Sequence, residues 1–477
     1  MRDAVARLQR VLNPRTVAVV GDTRRRGYMW LRNMSAFQGK VYSVQIDSQE
    51  IPGIEELQVP NYQSLLDIED EIDYVVCAVP RAASPRIVAD CIKKGVGGVT
   101  LFTSGFAETG EEEGIRLQEQ ITGMAKEADL PLIGPNCMGL YNPGLGVRQA
   151  ADQAAGEAGR VGLISQSGTH AISFSMLGSV NGVGISKAIS IGNAVVLDVP
   201  DYLEYLAADP QTEVIAMYVE GVRDGRRFFR VLRETAAAKP VVVWKGGLSE
   251  AGARAIASHT ASLATSTVVW DALMRQCGAV TTDTLDETVD TVKAFLHTKP
   301  GTGYRVGLMA MTGGQSVVIT DAFVRAGLEV PRLTPSSYEE LASFFNIIGG
   351  SYSNPLDMGS TIGWGADPRN LERLLSILDH DEGVEAIAME VGSGFMFRRL
   401  QSDPGALDRL LEMLTAHRDR SAKPFVAIMQ PGHLEGLVAE LRQKVEERGL
   451  PAYPSFERAA GALRRFVSYH RFRAGLD

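Results

Sequence analysis

The sequence predicts an α/β protein built from parallel sheets covered by helices. Three observations carry this. Short β-branched runs alternate with helical patterns from end to end. Gly is frequent, at 49 of 477 residues, and clusters after the apolar runs. A set of segments recurs in the same order in the second and third thirds of the chain.

The first unit opens with the apolar run at 16–21. Further strands are expected at 40–45, 73–79, 98–102 and 130–133, with helical stretches at 86–94 and 111–127 between them. This is a Rossmann-like domain that closes near Asn142, placed at 1–147. The Ala/Gly/Gln-rich segment 148–159 looks like a linker. Beyond it, Arg160-Val-Gly-Leu-Ile-Ser-Gln-Ser-Gly-Thr169 resembles Arg305-Val-Gly-Leu-Met-Ala-Met-Thr-Gly-Gly314. Glu213-Val-Ile-Ala-Met-Tyr-Val-Glu-Gly221 resembles Val384-Glu-Ala-Ile-Ala-Met-Glu-Val-Gly392, and Ala238-Lys-Pro-Val-Val-Val-Trp244 resembles Ala422-Lys-Pro-Phe-Val-Ala-Ile428. Two copies of one doubly wound domain are therefore expected, at 160–300 and 301–477, parted by Lys299-Pro-Gly-Thr-Gly303.

Composition narrows the function. The net charge of −9 argues against a general nucleic-acid or anionic-membrane binder. No apolar run approaches the ~20 residues of a membrane span, and the N-terminus lacks a signal-peptide pattern. The four cysteines (Cys77, Cys91, Cys137, Cys277) form no Cys-x-x-Cys pair, so neither a disulfide framework nor a zinc site is expected. The default is a soluble cytoplasmic protein.

The chemistry is expected at strand ends. Both copies open with a strand, small polar residues and a helix: Ser165-Gln-Ser-Gly-Thr169 and Thr312-Gly-Gly-Gln-Ser316. Free N–H groups at a helix start bind anions, and glycine admits a close approach. Each motif alone also reads as a plain N-cap; two equivalent ones could converge on one phosphate. His259, in Ser258-His-Thr-Ala-Ser-Leu-Ala264, sits among small residues in a long loop, where an imidazole has room to act as nucleophile or base. Glu220 ends the strand before Gly221, where ligands meet such sheets, and could accept the Nδ1–H of an imidazole. The other histidines lack such a context, though His170 and His433 both sit near βα turns. In the first domain the turn Gly21-Asp-Thr-Arg-Arg-Arg-Gly27 lacks the Gly-x-Gly-x-x-Gly spacing of a dinucleotide turn. That weakens a nicotinamide-dependent dehydrogenase reading. Arg24, Arg25 and Arg26 could hold phosphates or form a solvated charge run. Cys137 could be a pocket residue or a buried small one.

Taken together, Ser104-Gly-Phe-Ala-Glu-Thr-Gly110, Gly134-Pro-Asn-Cys137, Ser165-Gln-Ser-Gly168, Val219-Glu-Gly-Val-Arg-Asp-Gly225, Glu250-Ala-Gly-Ala-Arg254, Ser258-His-Thr-Ala-Ser-Leu-Ala264 and Asn354-Pro-Leu-Asp357 resemble the α subunit of NDP-forming acyl-CoA synthetases. These include ADP-forming acetyl-CoA synthetases and are relatives of succinyl-CoA synthetase. The resemblance implies a CoA-binding Rossmann-like domain followed by two flavodoxin-like ligase domains. It implies interconversion of acid, CoA and ATP with acyl-CoA, ADP and phosphate through an acyl phosphate and a phosphohistidine. His259 is then the phosphorylated residue and Glu220 its orienting partner. Ser165, Ser167, Gly168, Thr169, Gly313 and Gly314 surround the phosphoryl group. Gly21, Thr23, Arg24, Arg25, Arg26, Val79, Pro80, Ser104, Gly105, Asn136 and Cys137 line the CoA site. ATP or ADP with Mg²⁺ is expected only through an ATP-grasp β subunit, in an α2β2 or homodimeric assembly.

The chain departs from the family pattern at several points. Ala261 and Thr265 stand where the phosphohistidine loop usually has Gly. Asp22 stands in a turn that usually reads Gly-Ala-Ser, and Asp47 replaces a lysine that helps hold CoA. Weaker CoA binding is expected, with Asp22 repelling the ligand and the three arginines compensating. A non-catalytic CoA- or metabolite-binding relative is the rival reading.

Overall fold

The computed structural model describes residues 2–252, 254–255, 266–363, 365–392 and 394–476. They form three sheets in two compact units, one comprising 1–179 with 183–288 and the other 180–182 with 289–477.

The first sheet consists of β1 (Thr16–Val20), β2 (Lys40–Val44), β3 (Asn61–Tyr62), β4 (Tyr74–Cys77), β5 (Val99–Leu101) and β6 (Leu132–Ile133). Its order is β3-β2-β1-β4-β5-β6, parallel throughout. β1 and β4 are buried along their whole length. That is why they read as unbroken β-branched runs rather than alternating ones: both faces are covered by helices.

The second sheet consists of β7 (Gly139–Tyr141), β8 (Val161–Ser165), β9 (Ile185–Ser190), β10 (Val214–Val219), β11 (Val241–Lys245) and β12 (Val280–Thr282), ordered β12-β11-β10-β8-β9-β7. β7 runs antiparallel to β9. The chain thus enters the second sheet before Asn142, where the sequence reading closes the first domain. The segment that looked like a linker is pinned. The buried Gln149 side chain donates to the Gly139 carbonyl at 2.6 Å, and buried Gln153 donates to Ser175 Oγ at 2.7 Å.

The second unit holds β13 (Val306–Ala310), β14 (Leu356–Asp357), β15 (Ala386–Glu390), β16 (Phe425–Ile428) and β17 (Ala452–Tyr453), parallel and ordered β14-β13-β15-β16-β17. Read from the other edge, this order reproduces β12-β11-β10-β8-β9, so the internal repeat is a repeat of topology.

The ladders correct its alignment by one residue. Ile215 lies opposite Gly162, and Ile387 opposite Gly307. Superposing the two Arg-Val-Gly-Leu strands therefore equates Tyr218 with Glu390 and Glu220 with Gly392. The nine-residue sequence match had equated Glu220 with Val391. On the other side of the first strand, Ser165 pairs with Ser190 and Ala310 with Asp357, so Ser190 and Asp357 are counterparts.

Among the described residues no helix is long and apolar enough to cross a membrane.

Candidate functional site

The carboxyl end of β10 carries a buried acid. Glu220 is only 7% exposed. Its backbone is fixed by Gln166, whose Oε1 accepts the N–H groups of Glu220 and Gly221 and whose Nε2 donates to the Gly221 carbonyl at 2.9 Å. The Tyr218 hydroxyl donates to Glu220 Oε1 at 3.3 Å. Glu220 Oε2 is buried and has no hydrogen-bond partner among the described residues. An ionised carboxylate only accepts, and leaving such an oxygen dry and unpaired is costly. The position demands an N–H or O–H donor.

The surroundings are aromatic and cationic. His170, in the helix Gly168–Ser179, packs against Tyr218 and Trp244, with ring centroids 4.4 and 4.5 Å apart. Burial lowers its imidazole below the usual range, with Glu220 opposing. Lys245 Nζ donates to the Glu220 carbonyl at 2.9 Å, and burial lowers this ammonium too.

His259 and Ser258 lie outside the described residues. Sequence reasoning named Glu220 but missed Tyr218, Gln166, Lys245 and His170. A signal was there for two of them. Tyr218 and Glu220 are two apart across the end of β10, so they share a face, and Lys245 ends the adjacent strand opposite Val219.

The two helix starts are built alike. Ser167 Oγ accepts the His170 N–H at 3.3 Å, and Thr312 Oγ1 accepts the Gln315 N–H at 3.3 Å. Gly168 and Thr169, and likewise Gly313 and Gly314, hold the first helical positions, whose N–H groups precede any intrahelical acceptor. Ser165 exchanges bonds with Ser167: its Oγ donates to the Ser167 carbonyl and accepts the Ser167 N–H. It supports the turn rather than opening onto it.

The edge of the first sheet differs from expectation. The Asp22 carboxylate is buried, accepting the N–H of Leu31 at 3.0 Å and of Thr23 at 3.1 Å. Burial raises its carboxyl, and these N–H groups oppose the rise. The expected repulsion of a ligand by Asp22 is therefore corrected: the acid anchors the start of the helix Met29–Asn33. Asp47 stays exposed, its carboxylate accepting the Gln49 N–H.

Arg24, Arg25 and Arg26 form one exposed 3₁₀ turn. An acid that sequence reasoning overlooked, Glu50, accepts the Arg24 N–H at 2.7 Å and the Tyr28 hydroxyl at 2.8 Å. The Arg26 guanidinium lies 5.1 Å from the Phe102 ring centroid. Gly21 has φ 80°, and a Cβ there would stand 2.5 Å from Val79 Cγ1, so only glycine fits. Thr23 and Val79 are half-buried; Pro80 and Ser104 are exposed. The N–H of Gly105 is already held by Glu108 at 2.6 Å. Asn136, with φ 57°, ties its N–H to the Thr103 carbonyl at 3.0 Å. Cys137 is 4% exposed, and burial pushes its thiol up to about 12, so it packs the core beneath the edge instead of facing a ligand. Among the described residues no group of three or more His, Cys, Asp or Glu side chains is placed to share a metal ion.

Residues 15–143 match the CoA binding domain family, and residues 158–295 match the succinyl-CoA ligase like flavodoxin domain family. The chain is 33% identical to the α subunit of ADP-forming acetate–CoA ligase II of Pyrococcus furiosus, over 95% of this chain and 96% of that one. It is 32% identical to the α subunit of ADP-forming acetate–CoA ligase I of the same organism, over 98% of each. A solved structure of dinucleotide forming acetyl-coenzyme A synthetase 1 from Ca. Korarchaeum cryptofilum, in complex with phosphate and ADP, is similar over 98% of both chains, with TM-score 0.83 and 28% identity.

Proposed function

The chain belongs to the family of ADP-forming acetate–CoA ligase α subunits, and from that premise we propose that it is itself the α subunit of an NDP-forming acyl-CoA synthetase. It interconverts carboxylic acid, CoA and ATP with acyl-CoA, ADP and phosphate. In this reading CoA binding falls in 1–147, less the strand β7 that joins the second sheet, and ligase chemistry in 160–300 and 301–477.

The observation that carries the reading is the buried Glu220 Oε2, which has no partner among the described residues. An imidazole that donates one ring N–H to this oxygen keeps the other nitrogen free as nucleophile. His259 is that imidazole in this reading. It takes a phosphoryl group and passes it to the acid, giving an acyl phosphate. The CoA thiol then attacks the acyl carbon and phosphate leaves. Glu220 stabilises the cationic ring while the phosphoryl group is attached. The first-turn N–H groups of Gly168 and Thr169 offer donors to phosphoryl oxygens, and those of Gly313 and Gly314, in the other unit, offer a second set.

CoA fits the edge of the first sheet. The exposed Arg24 and Arg25 can grip phosphates. Glu50 beside Arg24 weakens that grip. ATP or ADP, with Mg²⁺, is brought by an ATP-grasp β subunit, in an α2β2 or homodimeric assembly in the cytoplasm.

Reconstitution tests the proposal. The full chain is mixed with an ATP-grasp partner chain, acetate, CoA, ATP and Mg²⁺. Acetyl-CoA and ADP formed in equal amounts, and only with both chains, is the expected result. Product formed equally well without this chain, or AMP in place of ADP, overturns it.

A further inference from the structure

The two helix starts share their caps but differ in the residue that faces them. In the first copy Ser190 Oγ lies 3.7 Å from where a Cβ on Gly168 would stand, and it accepts the Met138 N–H at 3.0 Å. In the second copy the counterpart is Asp357, whose Oδ2 lies 3.3 Å from where a Cβ on Gly313 would stand. Asp357 is 7% exposed, and its Oδ1 is buried without a hydrogen-bond partner among the described residues. Its backbone is held at the end of β14, its N–H donating to the Ser351 carbonyl at 2.7 Å. With Gly313, Ser316, Ser351 and Ser353 it lines a cavity of 390 Å³.

A carboxylate against the start of a 13-residue helix is an odd choice for a plain anion site. The helix start supplies donors and favours negative charge; the acid supplies only lone pairs. One class of ligand satisfies both: an oxyanion that also carries a proton. We propose that Asp357 makes the second helix start selective for hydrogen phosphate, accepting the P–OH hydrogen while the N–H groups of Gly313 and Gly314 donate to the bare oxygens. Sulfate has the same shape but no proton near neutral pH, so its oxygens meet the carboxylate lone pair to lone pair. Such a mismatch separates ligands by roughly tenfold to a hundredfold. The comparison of anions belongs at pH 8, where inorganic phosphate is mainly the hydrogen phosphate dianion with one P–OH hydrogen and sulfate carries none.

This selectivity rests on the reading of Gly313 and Gly314 as phosphate donors, and the test separates the two. The full chain, labelled with [15N]glycine, is titrated at pH 8 with inorganic phosphate and, separately, with sulfate, following the amide signals of Gly313 and Gly314. Wild type is expected to respond to phosphate at a concentration tenfold to a hundredfold below that needed for sulfate. Asp357→Ser, which installs the first-copy residue, should bring the two anions near equality. Asp357→Asn keeps the shape, adds a donor and should favour sulfate. Equal response to both anions in wild type, or a preference that survives in both folded variants, overturns the role of Asp357 while leaving the helix start as an anion site. No response of either amide to either anion overturns the anion site and the selectivity together.

Discussion

The two ligase copies share strand order, caps and helix starts, yet they place different side chains at the same ladder positions. In the first copy Tyr218 donates to Glu220, whose second oxygen has no partner among the described residues. In the second copy Tyr218's place is taken by Glu390 and Glu220's by Gly392. Glu390 is 2% exposed, and its Oε2 accepts the Met311 N–H at 2.8 Å. Burial raises its carboxyl, with Met311 and Gln430 opposing. One acid thus holds a turn through one of its oxygens, while the other has an oxygen that no described residue engages. His170, stacked beside Glu220, corresponds to Gln315. On the proposed reading both copies keep an anion-binding helix start, while the histidine-directed chemistry belongs to the first alone.

The sharpest way to break this contrast is to neutralise each acid in turn. Glu220→Gln keeps the shape but removes the charge that stabilises a phosphorylated imidazole. We expect phosphorylation of His259, followed with ATP, Mg²⁺ and the partner chain, to slow by ~10²-fold or more. An unchanged rate would remove Glu220 from the relay. Glu390→Ala should do the opposite. It strips the acceptor from the Met311 N–H and lowers stability by about 1–3 kcal/mol in urea unfolding, with the phosphorylation rate of the folded protein held. Lost phosphorylation at unchanged stability would mean that the second acid also does chemistry.

A smaller effect tests the aromatic wall. Burial holds the His170 imidazole below its ordinary range, so the unfolded chain takes up a proton that the folded chain refuses. The stability is whole above about pH 6.5 and is lost as the pH falls below it. His170→Gln, which copies the second repeat, should flatten that decline. Melting temperatures of the two proteins between pH 8 and pH 5 should diverge only at the acid end, and parallel curves would show that His170 is solvated.

Much of this was legible in the sequence. Apolar runs marked β1, β4, β8, β10 and β13, because parallel strands covered on both faces carry little else. The Glu220 position followed from strand-end logic. What escaped was set by contacts rather than by pattern. Asp22 read as a charge facing a ligand, because nothing local shows that Leu31 turns its N–H back to it. Gly139–Tyr141 looked like the close of the first domain, because a three-residue strand carries no period and its partner β9 lies some fifty residues on. The copies were aligned one residue out, since matched glycines at Gly221 and Gly392 outweighed the Ile-Ala-Met core that the ladders pair. Asp357 was seen only as part of a family motif, its place at the helix start being a matter of register between β13 and β14.

The central claim is that the phosphoryl group is carried on a histidine of the first copy. The direct measurement is peptide mapping of the acid-labile phosphoryl label after incubation of the full chain with its ATP-grasp partner, ATP and Mg²⁺. A single labelled peptide containing His259 is expected, absent in His259→Ala and restored to neither His170 nor any histidine of the second copy. Label that persists undiminished in His259→Ala, or that maps beyond residue 300, would contradict it.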